Sequence, residues 1–74
     1  MTYPRQVLNR IKWGGGLSGV VITYIHRGGP DDLASVNGED ITELGRSFFT
    51  LREGQIPYHR IVRIEEEGEV VFQI

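Results

Sequence analysis

The run GVVITYIHRG, Gly19 to Gly28, constrains the fold more than any other stretch. Side chains alternate across a strand, so Val20, Ile22, Tyr24 and His26 share one face. Val21, Thr23, Ile25 and Arg27 share the other. Both faces stay mostly apolar until the His-Arg end, so both expect cover. The run therefore predicts a central strand of a sheet, with a polar pair emerging at its C-terminal end.

The flanking segments supply the rest of a small α+β fold. YPRQVLNRIKW predicts a helix of about three turns, capped by Thr2 or Tyr3, with Pro4 in the first turn where its missing N–H costs nothing. Val7, Leu8 and Ile11 form its buried stripe, while Arg5, Asn9 and Lys12 fall on a solvent-facing side. Trp13 is expected to close the helix against the core, and Gly14 to Gly16 to stop it. Beyond the central strand, GGPDD reads as a loop. LASVNGEDITEL contains Asn37-Gly38, a tight-turn signal between two short segments. SFFTL, the turn REGQ, IPYHRIVRIEEE, the turn EEGE and VVFQI complete the pattern. The expected fold is α+β: one N-terminal helix packed on a curled antiparallel sheet or small barrel of four to five strands. Trp13, Phe48, Phe49 and Phe72 are expected in the core. Pro57 cannot donate to a ladder, so it marks a strand start, an edge or a bulge.

Seventy-four residues predict a single domain over 1–74 with a small core. There is no cysteine, which excludes a disulfide staple, a thiolate metal site and a cysteine nucleophile, and fits a reducing compartment. No apolar run approaches the roughly 20 residues that span a bilayer. The opening MTYPRQVLNRIKW lacks the apolar core of a secretory signal. A cytoplasmic protein with no membrane association is expected.

The net charge of −2 argues against a protein that coats nucleic acid broadly. Its distribution is more informative. Residues 1–27 carry Arg5, Arg10, Lys12 and Arg27 and no acid, whereas Asp31, Asp32, Glu39, Asp40 and Glu43 follow with no base before Arg46. Arg46, Arg52, Arg60 and Arg63 then face only Glu53, and Glu65, Glu66, Glu67 and Glu69 close the chain. Basic and acidic blocks alternate, and both histidines lie in basic blocks, as His26-Arg27 and His59-Arg60. Seven of the eight basic residues are arginine, whose planar fork suits bidentate contact with phosphate or carboxylate; surface ion pairs are the plainer use of such residues.

Residues of these types suit four chemistries. Two imidazoles can act as acid and base on an RNA phosphodiester, but two-histidine phosphoesterases use repeated His-x-Thr or His-x-Ser motifs, and here arginine follows each histidine. A metal site finds neither HExxH nor close His-x-His spacing, and no metal or other cofactor is expected. KWGGGLSG follows a helix instead of preceding one, so it reads as a cap and connector and not as a phosphate loop. Anion and base recognition fits best. Arg27, Arg46 and Arg60 would hold phosphate oxygens, His26 and His59 would donate hydrogen bonds, and Tyr58, beside Pro57, would offer a ring for an unpaired base.

PRQVLNRIKW, YIHRGGP, ITELGRSFFTL, IPYHRIVRI and GEVVF, in that order, resemble a small, mostly archaeal family of uncharacterised proteins also named the RNA cyclic group end recognition domain. The resemblance covers nearly the whole chain, and HRG, GRSFF and IPYHRI are its most specific parts. The resemblance implies RNA binding, with a proposed preference for ends bearing a 2′,3′-cyclic phosphate. The combined expectation is an RNA-end-binding module whose site comprises His26, Arg27, Arg46, Tyr58, His59 and Arg60. The alternatives are a metal-independent phosphodiesterase using His26 and His59, and a protein-interaction module whose charged blocks meet a partner. The oligomeric state is open at this level.

Overall fold

The computed structural model describes residues 3–28 and 30–74. Helix α1, Pro4–Gly15, buries Val7, Leu8 and Ile11, as the spacing predicts. Tyr3 N–H reaches Gln6 Oε1 at 3.4 Å; the alternative cap, Thr2, lies outside the described residues. The helix ends when Gly16 turns to φ 94°, its N–H shared between the carbonyls of Ile11 and Lys12. A side chain would resist that backbone angle.

Seven strands follow among the described residues, in two antiparallel sheets. The first has the order β2-β1-β6-β7, with β1 Val20–Ile25, β2 Leu33–Asn37, β6 Ile61–Glu66 and β7 Glu69–Gln73. The second has the order β3-β4-β5, with β3 Glu43–Leu44, β4 Phe48–Leu51 and β5 Gly54–Pro57. The α+β class and the N-terminal helix are those expected. The strands divide between two open sheets, neither closed into a barrel. β1 is interior, as its two apolar faces require. Val20 and Ile22 are buried with the helix stripe, Phe49, Leu51, Tyr58, Ile61 and Ile64 in one core. On the opposite face Thr23 is buried too, its hydroxyl 3.3 Å from that of its cross-strand partner Ser35.

Asn37-Gly38, expected as a tight turn, and the segment after Pro57 are passages between the sheets. Asn37-Gly38 does not make a hairpin. The 3₁₀ turn Gly38–Asp40 carries the chain from β2 into the second sheet. A Cβ on Gly38 would stand 2.5 Å from the Leu17 carbonyl oxygen and 2.9 Å from Val20 Cβ, so glycine serves close approach here. Likewise Pro57 neither starts a strand nor makes a bulge. It ends β5, an edge strand where a missing N–H is tolerated, and the 3₁₀ turn Tyr58–Arg60 returns the chain to the first sheet. The bulge lies further on. Thr23 pairs with Arg63, but Tyr24 pairs with Ile61, so Val62 is the extra residue on β6.

Three aromatic expectations need correction. Trp13 is 86% exposed. At about 100° per residue it lies roughly 200° around the helix from Ile11, away from the buried stripe of Val7, Leu8 and Ile11. Phe48 is exposed and Phe72 half-buried, while Phe49 is fully enclosed. β4 buries one face only, so of two adjacent phenylalanines one must point outward. No helix of the described residues is long and apolar enough to cross a membrane.

Candidate nucleic-acid interface

The antiparallel register brings the two His-Arg pairs together. β1 runs out at Ile25 just where β6 begins. With Tyr24 opposite Ile61, two residues onward along β1 is His26 and two residues back from β6 is His59. Ile25, His26, Arg27, His59 and Arg60 line one open groove of about 640 Å³. All four polar residues are exposed. The Tyr24 ring meets the His26 imidazole edge-on, with centroids 6.3 Å apart. The loop beyond His26 is closed by a 2.7 Å hydrogen bond from His26 N–H to the Asp32 carbonyl.

The second half-site owes its form to the 3₁₀ turn. With three residues per turn, Tyr58 and Ile61 fall on one side and are both buried, while His59 and Arg60 both face solvent. Plain strand alternation would have put Tyr58 and Arg60 on one face. The expectation of an exposed Tyr58 ring is therefore overturned. Tyr58 is only 8% exposed, packs 5.9 Å from the Phe49 ring and donates its hydroxyl to the Gly45 carbonyl at 2.8 Å. Burial raises its phenol pKa above the ordinary value, and the Arg5 cation beside it offsets part of that rise.

Arg46 does not join the first groove. It projects from the bend between β3 and β4 into a neighbouring one of about 420 Å³, lined by Tyr3, Pro4, Arg5, Gln6, Arg46, Ser47, Tyr58 and His59. His59 borders both. The six expected residues thus divide: His26, Arg27 and Arg60 in one groove, Arg46 and Tyr58 in the other, His59 between them. Tyr3, Arg5, Gln6 and Ser47 had no local signal for a site. They reach it only because α1 packs its first turn beside Gly45, whose carbonyl also accepts from Arg5 Nε at 3.2 Å.

Neither groove is lined by an acid. Several carboxylates border other hollows: Asp40 and Glu53 beside β2, Glu39 near Thr42, and Glu66 and Glu67 by the helix C-terminus. Those hollows mix charges, Arg52 with Glu39, Asp40 and Glu53 and Arg10 with Glu66 and Glu67, whereas the two grooves carry cations without acids. Among the described residues the one ion pair is Arg63 Nε to Glu65 Oε1 at 3.1 Å, so Arg27, Arg46 and Arg60 stand without a carboxylate partner there. Among the same residues no three metal-ligating side chains cluster.

An α+β domain with two adjoining cationic, acid-free grooves at the junction of its sheets is thus what the chain builds. Residues 1–73 match the family described as the MJ1316 RNA cyclic group end recognition domain, and the chain belongs to that family. Among its relatives, a UPF0248 protein of Pyrobaculum islandicum is 39% identical over 72 residues, covering 90% of this chain and 83% of the relative. One from Methanococcus vannielii is 34% identical over 73 residues, covering 93% and 88%. One from Archaeoglobus fulgidus is 46% identical over 57 residues, covering 76% and 80%. No solved structure matches.

Proposed function

We propose that this chain recognises RNA 3′ ends that carry a 2′,3′-cyclic phosphate, and that the groove between its two His-Arg pairs receives the phosphate. The observation that carries the reading is the meeting of His26-Arg27 and His59-Arg60 on one acid-free groove. The name of the family supports the ligand class. A cyclic phosphate carries one negative charge on two non-bridging oxygens. Arg27 and Arg60 present forks that match such oxygens, and the imidazole N–H groups of His26 and His59 donate to phosphate or ribose. One anion at a chain end needs no long basic track, which suits a chain of net charge −2.

The test is binding to short RNAs of one sequence ending in 2′,3′-cyclic phosphate, 3′-phosphate or 3′-hydroxyl, with RNA mass measured afterwards. Tighter binding of the cyclic end, with mass unchanged, is expected. Equal binding of all three overturns the reading. Two imidazoles on one groove also give the acid–base alternative its geometry. A gain of one water in the mass of the cyclic-ended RNA would replace recognition by ring opening.

A further inference from the structure

The second groove differs in chemistry from the first. It combines an exposed ring, Tyr3, the apolar face of Pro4, two arginines, and the polar groups of Gln6 and Ser47. Arg5 spends its Nε on the Gly45 carbonyl and keeps its other guanidinium donors. Gln6 receives the Tyr3 N–H on its carbonyl oxygen, which leaves its amide N–H₂ available. Arg46 is exposed and has no carboxylate partner among the described residues. A ring for stacking, donors for a base edge and forks for a phosphate are the needs of a nucleotide held single-stranded.

Resting on the reading proposed above, the geometry points to a two-nucleotide site: the terminal cyclic phosphate lies between the His-Arg pairs, and the nucleotide on its 5′ side lies in the Tyr3–Arg46 groove. Continuity carries the order. His59 lines both grooves, so they are one side chain apart. A 2′,3′-cyclic phosphate ends its strand, so its only covalent neighbour is on the 5′ side. The groove with two His-Arg pairs has no aromatic ring other than the imidazoles, whereas the neighbouring one offers Tyr3. The phosphodiester joining the two nucleotides would then run past His59 towards Arg46 and Arg5.

The experiment is calorimetric titration of the full chain with uridine 2′,3′-cyclic phosphate and with the dinucleotide UpU bearing the same cyclic end. The dinucleotide is expected to bind about tenfold more tightly, the worth of one base–aromatic stack. Tyr3→Ala, at a residue 58% exposed, should erase that advantage and leave the mononucleotide affinity unchanged, and Tyr3→Trp should keep it. Equal affinities for the two ligands in the wild type overturn the two-nucleotide site. So does a Tyr3→Ala effect of the same size on both. Its failure is distinguishable from failure of the first reading, because Arg60→Ala should weaken the mononucleotide itself. If neither ligand binds, the cyclic-end reading falls with it.

Discussion

Tyr58 donates its hydroxyl to the carbonyl oxygen of Gly45 at 2.8 Å, and so ties the turn that carries His59 and Arg60 to the bend that carries Arg46. The same oxygen accepts from Arg5 Nε at 3.2 Å. One carbonyl therefore holds three separate parts of the chain in register: the first turn of α1, the β3–β4 bend and the passage into β6. The ring that lone sequence logic would offer to a ligand is instead the strut beneath the site.

Tyr58→Phe keeps the ring against Phe49 and removes only the donor. The Gly45 carbonyl retains Arg5, so the loss is one hydrogen bond, about 0.5–1.5 kcal/mol. Urea unfolding should show a lower midpoint with unchanged slope. A midpoint equal to that of the wild type would mean the strut contributes nothing.

Alkaline pH should expose the same bond. The folded state raises the Tyr58 pKa above its ordinary value of 10.0, so the folded chain holds this proton more tightly than the unfolded chain. Stability from this group is complete below pH 10 and is lost as pH climbs through the raised value. Above pH 10 the wild type should therefore lose stability more steeply than Tyr58→Phe, measured as urea midpoints of both proteins at each pH. Parallel losses would contradict the assignment.

Position within the groove should separate two arginines of one strand region. Arg60 lines the groove with both histidines, whereas Arg63 lies within β6 beside Glu65. Arg60→Ala should cost on the order of tenfold or more in affinity for the cyclic-ended RNA, the worth of a charge-assisted contact. Arg63→Ala should cost about twofold or less, as a distant screened charge does. Equal losses would reduce the interface to general electrostatic attraction.

Two aromatic residues should behave oppositely in stability. Phe49 is fully enclosed, and Phe49→Ala should cost about 3–5 kcal/mol, enough to unfold a domain of this size. Trp13 is 86% exposed, and Trp13→Ala should change stability by about 0.5 kcal/mol or less. Thermal unfolding monitored by circular dichroism reads both. A large loss in Trp13→Ala would place that indole against the core after all.

Much of the architecture was legible because it rests on local periodicity. Val7, Leu8 and Ile11 sit at helical spacing, and they are the residues α1 buries. Val20 to Ile25 is apolar on both faces, and it forms an interior strand. Glu67 and Gly68, at φ 53° and 82°, make the tight hairpin that EEGE signals. Asn37-Gly38 misled because the same dipeptide serves a close approach to Leu17 and Val20 as well as a hairpin. Trp13 misled because size suggests burial, while helical phase assigns it the outer side.

The helix, the central strand, the α+β class and the two His-Arg pairs as the unusual polar features can all be read from the chain alone. These follow from spacing and side-chain chemistry within ten or so residues. That the pairs adjoin is visible in three dimensions alone, because it depends on the pairing of Tyr24 with Ile61 across 37 positions of sequence. The same holds for the inward turn of Tyr58. The inter-sheet passage after Pro57 takes 3₁₀ geometry, and a threefold turn sends Tyr58 and Ile61 to the core while His59 and Arg60 face solvent. The partners of Tyr3 and Arg5 at Gly45 and Arg46 lie some 40 residues away. Packing of α1 brings them together, and no local pattern encodes it.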